Sequence, residues 1–240
     1  NFTLSFQGNS EVGVLPIAAY SGEYAFWSNK GDESNMTLTR EFDFTTVSSP
    51  IELTYHTWYD LEEDYDYLYL VASEDGGETW QILTTPSCTT ENPSGNSYGC
   101  GYNGTTDGYI EETVDLSRFA GKKVLLRFEY VTDAAVNGEG LLVDDISIPA
   151  IDYFTDFEND NGGWQAEGFV RIQNRLPQTF RLSLIYLGEN PRVEYLNVDD
   201  LQTLNYTVEV DSPSQPVILV VSGTTRFTRQ PAAYTFSAQR

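Results

Sequence analysis

Five carboxylates fall within seven residues at Asp60, Glu62, Glu63, Asp64 and Asp66, beside Trp58, Tyr59, Tyr65 and Tyr67. Crowded acids repel one another unless something positive lies among them. Three chemistries fit the pattern. One is a solvated acidic loop. Another is a calcium site, which wants hard oxygen ligands and tolerates flexible geometry. The third is a glycosidase-like acid/base pair, which needs two carboxyls facing across a cleft about 5–10 Å apart. A second acidic pair bears on the choice. In Leu142-Val-Asp-Asp-Ile-Ser-Ile148, alternation puts Leu142, Asp144, Ile146 and Ile148 on one face and turns Asp145 outward. A carboxylate aimed at a core is costly unless it is hydrogen-bonded or metal-bound. Backbone amides, Arg40 and Arg127 are the other partners open to Asp144.

Other chemistry is thinner. His56 is the only histidine, and strand alternation puts it opposite Tyr55, alongside Thr54 and Trp58, so no Ser-His-Asp or Cys-His arrangement is credible. A His-Glu-x-x-His helix, which would hold zinc on two histidines with the glutamate as base, is absent. Cys88 and Cys100 lie in the polar stretch TPSCTTENPSGNSYGCGYNG, where a disulfide would pin a loop with little else to hold it. Tyr98, Tyr102 and Tyr109 fall in the same Gly- and Asn-rich region and could stack on sugars, although tyrosine is also a common sandwich-core residue. Ser73-x-Asp75-x-Gly77-x-Thr-Trp80 matches an Asp-box, but it occurs once. A propeller repeats it, so here it reads as a hairpin turn held by Ser73 and Asp75 with Trp80 beneath. Asn-x-Ser/Thr sequons at Asn1, Asn35, Asn103 and Asn205 matter only in a eukaryotic secretory host.

The elements that must position these groups are strands. Tyr, Phe, Thr, Val and Ile are abundant, aromatics reach 14%, and helical periodicity is almost absent. Met36–Phe44, Ile51–Tyr59, Tyr67–Ser73, Lys123–Val131 and Leu141–Ile148 read as strands, with Asp115–Gly121 a single helical turn capped by Asp115 and ended by Gly121. Phe154–Trp164 reads as a polar, Gly-rich crossing after a break at Pro149-Ala150. Arg181–Leu187, Leu204–Val210 and Pro216–Ser222 follow, and the apolar run Val217–Val221 reads as buried on both faces. The expected fold is all-β: a jelly-roll sandwich over 1–150 and a smaller β-sandwich over 151–240. A net charge of −23 argues against nucleic acid and anionic lipid as partners, and no apolar run is long enough to cross a bilayer. The chain opens at Asn1 in mid-strand style and reads as a piece of something longer.

Several segments, in order, resemble one known family. Trp27–Asp43, Trp58–Tyr67, Ser73–Trp80, Asp115–Lys122, Arg127–Asp133 and Val143–Ile146, followed by Gly168-Phe-Val-Arg and Asn174-Arg-Leu-Pro-Gln, are similar to the C-terminal region of immune inhibitor A-type secreted zinc metallopeptidases. The first block resembles that family's MAM-like domain. The resemblance implies a secreted, bacterial, non-catalytic part of a protease, with the zinc chemistry upstream and no zinc here. It also implies a structural Ca2+ shared by an early loop, a middle glutamate and the last strand. On that analogy the ligands are Asp32, Glu62, Asp66 and Asp144, with Asp145 beside them. Expected partners are the parent's catalytic domain and a protein substrate or surface glycan. The alternative class is a carbohydrate-binding module.

Overall fold

Lys123–Val131 shows how this sequence makes a wall. Val124, Leu126, Phe128 and Tyr130 are fully buried, while Leu125, Arg127, Glu129 and Val131 point the other way. A strand with one apolar face needs a second sheet against which to bury it. The computed structural model describes residues 1–212 and 214–240, and its named strands pair antiparallel throughout.

The chain divides into two compact units. One comprises Ala18–Gln173 and holds two sheets. In the first sheet the order is Gln165–Glu167, Asn35–Asp43, Lys123–Val131, Tyr67–Ser73 and Gln81–Ile82. In the second it is Val170–Gln173, Tyr24–Trp27, Gly140–Ile148, Glu52–Asp60 and Ile110–Asp115, with Tyr153–Thr155 also paired to Gly140–Ile148. Between them lies one aromatic-rich core that includes Phe42, Tyr55, Phe128, Phe157 and Trp164. Leu116, not Asp115, is the N-cap of the one-turn helix Ser117–Phe119; Asp115, one residue earlier, accepts the Ser117 amide at 2.8 Å. The Asp-box is a turn: the Ser73 hydroxyl and the Thr79 amide and hydroxyl all donate to Asp75, which holds its carboxyl well below the usual range.

The other unit joins Asn1–Ile17 to Asn174–Arg240. Phe2–Gly8 lies between Thr203–Val208 and Tyr234–Gln239 in one sheet. Phe180–Tyr186 lies between Arg192–Leu196 and Val217–Gly223 in another. Leu4, Phe6, Phe180, Leu182, Leu184 and Tyr186 form its core.

Two expectations are corrected here. The boundary is not at 150. The segment 151–173 belongs to the first sandwich, because Tyr153–Thr155, Gln165–Glu167 and Val170–Gln173 add strands to its sheets and Phe157, Trp164 and Phe169 fill its core. The supposed polar crossing thus carries a core tryptophan. The first strand, conversely, pairs with the last ones. Nor is Val217–Val221 buried on both faces. Ile218 and Val220 are 45% and 37% exposed, because the sheet holding them packs its core on one side only.

We expect a fragment spanning 18–173 to unfold cooperatively in urea, followed by tryptophan fluorescence, and a fragment spanning 1–150 to show no cooperative transition. Trp164→Ala should destabilise the 18–173 unit by about 3–5 kcal/mol, the usual cost of emptying a buried aromatic site. Equal cooperativity in the two fragments would refute this division of the chain.

Candidate metal centre

Glu62 and Asp66 sit on a tight turn that leads from the Glu52–Asp60 strand into Tyr67–Ser73. The Tyr65 and Asp66 amides donate back to the Glu62 carbonyl at 3.3 and 3.1 Å. Asp64 occupies left-handed backbone at φ 69°, and its amide donates to Asn103 Oδ1 at 3.1 Å. Asn103 Nδ2 in turn donates to the carbonyls of Glu62 and Asp66. This single asparagine braces the turn from across the loop.

Strand pairing supplies a third acid. Tyr67 lies opposite Val131, so Asp66, just before the one strand, falls at the level of Thr132 and next to Asp133, whose amide it accepts. One carboxylate oxygen from each of Glu62, Asp66 and Asp133 lies within 4.8 Å of the others. Asp66 is fully buried, accepting the Asp133 amide at 2.9 Å on Oδ1 and the Tyr130 hydroxyl at 3.2 Å on Oδ2. Burial first, and then the charges of Glu62 and Asp133, push its carboxyl up to about 6 against those two bonds. Glu62 is also raised, by desolvation first and then by Asp133 and Asp32. Its Oε2 is buried without any hydrogen-bond partner. Among the described residues, no lysine or arginine pairs with these three acids. Three converging oxygens, uncompensated charge and one orphan oxygen fit a hard divalent cation better than they fit water.

The structure divides the acids expected from the sequence between two places. Glu62 and Asp66 are in the cluster. Asp32 lies close enough to raise Glu62, but its Oδ1 accepts Asn137 Nδ2 at 2.7 Å and it is not among the three converging acids. Asp144 and Asp145 are elsewhere. Asp144 lies opposite His56, whereas Gly140 lies opposite Asp60. Four residues of strand, at about 3.3 Å each, put Asp144 roughly 13 Å from that level. A bulge between Asp144 and Ser147 also breaks the alternation, so Leu141 and Val143 share the core with Ile146 and Ile148. Asp144 therefore turns away from the inter-sheet core and is buried instead under the loop at Tyr20–Ser21. It accepts the Ser21 and Asp145 amides at 3.1 and 2.8 Å, while the Ser21 hydroxyl donates to Asp145 at 2.6 Å. Desolvation pushes Asp144 up to about 7, with Asp145 adding repulsion.

The tyrosines part company as well. Tyr98 is 73% exposed; Tyr102 is buried with its hydroxyl against that of Tyr55; Tyr109 is half-buried and donates to the Ala18 carbonyl at 2.9 Å. Cys88 and Cys100 are joined in a disulfide. Only Asp133 went unforeseen. Its signal was the pairing of two strands already recognised, which brings the residues just outside their ends close together.

Two antiparallel sheets packed on one core, with a carboxylate cluster at one strand end, define the class: an all-β sandwich domain. The family model for the immune inhibitor A-like MAM domain matches residues 9–174, and the chain belongs to that family. It is 29% identical over 160 residues to the pre-pro-metalloprotease PrtV of Vibrio cholerae, covering 66% of this chain and 17% of that protein. It is 33% identical over 162 residues to immune inhibitor A of Bacillus thuringiensis, covering 65% and 22%. Bacillopeptidase F of Bacillus subtilis matches at 26% over 135 residues, 55% of this chain and 8% of that protein. The chain thus spans less than a quarter of the length of these relatives. No helix among the described residues is long and apolar enough to cross a membrane.

Asp144 gives a pH signature of known sign. Its folded-state pKa lies above the ordinary 3.8, so between about pH 4 and 7 the folded chain binds more protons than the unfolded one. Stability must fall as pH rises through that window. With a chelator present, the urea midpoint should drop from pH 4.5 to 7.5, and Asp144→Asn should flatten the drop. A midpoint that rises over this range, or a slope that the variant leaves intact, would refute the assignment.

Proposed function

We propose that this chain is a non-catalytic, calcium-stabilised accessory region of a secreted metallopeptidase, with the peptide-cleaving domain elsewhere in the parent. The region stabilises the parent and holds it against its protein substrate or a surface. The observation that carries the calcium reading is Glu62 Oε2, an orphan oxygen inside a group of three acids. Calcium takes six to eight oxygen ligands and tolerates irregular geometry, so carboxylates completed by carbonyls and water suffice. Magnesium demands a near-ideal octahedron and holds its water tightly, and zinc favours nitrogen and sulfur. Membership of the immune inhibitor A-like MAM family and the similarity to a metalloprotease and a bacillopeptidase support such a parent.

A second reading, binding of a neutral glycan, is favoured by one observation. Tyr98 and Tyr65, 73% and 47% exposed, flank an open groove of about 250 Å³ that Asn96, Thr132 and Asp133 also line. Loss of retention on insoluble polysaccharide in Tyr98→Ala would support it.

Calcium added to chelator-stripped protein should raise Tm. At free calcium 100-fold above Kd the stabilisation is about 2.7 kcal/mol, or about 5–10 °C for a unit of this size. Glu62→Gln and Asp133→Asn should each abolish the rise, and Asp144→Asn should preserve it. Calorimetric titration checks the stoichiometry. The opposite pattern, with Asp144→Asn alone abolishing the response, would move the ion to the last strand.

A further inference from the structure

We propose that a second, buried site beneath the disulfide loop binds one alkali-metal cation, with Glu112 as its charged ligand. Glu112 lies on the Ile110–Asp115 strand between Ile110 and Val114, on the side that faces inward, and it is 0% exposed. Tyr55, also 0% exposed, is its register partner. The Tyr55 hydroxyl meets that of Tyr102, which comes from the loop. Thr85, which is buried, and Ser87, which is exposed, lie at the start of the same loop. The Ser87 amide approaches Glu112 Oε2 at 3.4 Å, a long bond. Glu112 Oε1 has no partner, and Thr85 Oγ1 has no more than a weak contact with the Tyr102 hydroxyl beside it.

A buried carboxylate oxygen without a partner, with an under-satisfied hydroxyl near the same Tyr102, is rare in a well-packed core. The carboxylate makes them costly. Among the described residues no lysine, arginine or histidine forms an ion pair with Glu112, so its charge is unmet by protein. Burial, and after it the charge of Glu112, pushes the Tyr59 hydroxyl up, which keeps a second negative charge out of this space. A water molecule would satisfy hydrogen bonds but leave the charge; a cation meets both demands.

The charge count selects the ion. One carboxylate and neutral hydroxyl oxygens balance a single positive charge. A divalent ion would leave a net positive charge in the interior, at the same kind of cost it was meant to remove. The Glu62 cluster, with three carboxylates, is the reverse case. Oxygen-only donors select sodium or potassium over softer ions. Thr85, Ser87 and Tyr102 lie on or beside the segment that the Cys88–Cys100 bond closes, so the ion would tie the loop to the sheet below.

The test compares thermal unfolding of the full chain in NaCl, KCl and choline chloride at equal ionic strength, with a chelator present. Tm should be higher in one of the alkali salts than in choline by about 2–4 °C. Glu112→Gln and Thr85→Val should erase that difference while the calcium response of the Glu62 cluster persists. Excess 23Na line broadening, seen with the native chain and absent with Glu112→Gln, would identify sodium directly. Equal Tm in all three salts means the space holds solvent only and overturns the proposal. So does a salt difference that survives Glu112→Gln. Should Glu112→Gln fail to fold, the native salt comparison and Thr85→Val decide between these outcomes.

Discussion

A carboxylate that leaves water must find amides, hydroxyls or a cation, and that requirement shapes the acidic unit of this protein. Each buried or half-buried acid meets it differently. Asp75, which stays exposed, is the contrasting case: Ser73 and Thr79 donate to it while water remains at hand, so it stays ionised. Asp144 finds two amides but too little water, and its carboxyl holds a proton more readily as a result. Asp66 finds one amide and one hydroxyl but meets two other acids. Glu112 finds one distant amide. The more local hydrogen bonding fails, the more strongly an external positive charge is called for.

The walls were legible from sequence because alternation is a local property. Val124, Leu126, Phe128 and Tyr130 could be assigned to one face without knowing what they face, and the structure buries all four. Partnership between distant segments is not local. Nothing in Phe2–Gly8 announces that it pairs with Thr203–Val208 and Tyr234–Gln239, and nothing in the polar run around Trp164 announces that its indole fills a core begun more than 100 residues earlier. The boundary at 150 failed for that reason: it was drawn where a strand ended, not where the pairing changed.

The acidic cluster was legible in part for the same reason. Glu62 and Asp66 share a turn and could be read together. Asp133 reaches them through the pairing of Tyr67–Ser73 with Lys123–Val131, which both sides of the sequence foretold separately. Asp144 was misplaced by a single irregularity. One bulge reverses the faces of a strand, so a strict two-residue count carried past Asp144 assigns it to the wrong side.

Charge also separates the two units. Ala18–Gln173 carries 29 of the 36 acidic residues and 7 of the 13 basic ones, leaving −22; the other unit has 7 and 6, leaving −1. Self-repulsion on that scale weakens a compact state, and a bound ion relieves it where it is most concentrated. The near-neutral unit has no such need. Its interior is Leu, Phe and Tyr, and its outer sheet face leaves Val193, Tyr195, Ile218 and Val220 in solvent. Ionic conditions should therefore govern one unit and apolar burial the other, and a calcium- or salt-dependent step in unfolding belongs to the sandwich that carries the acids.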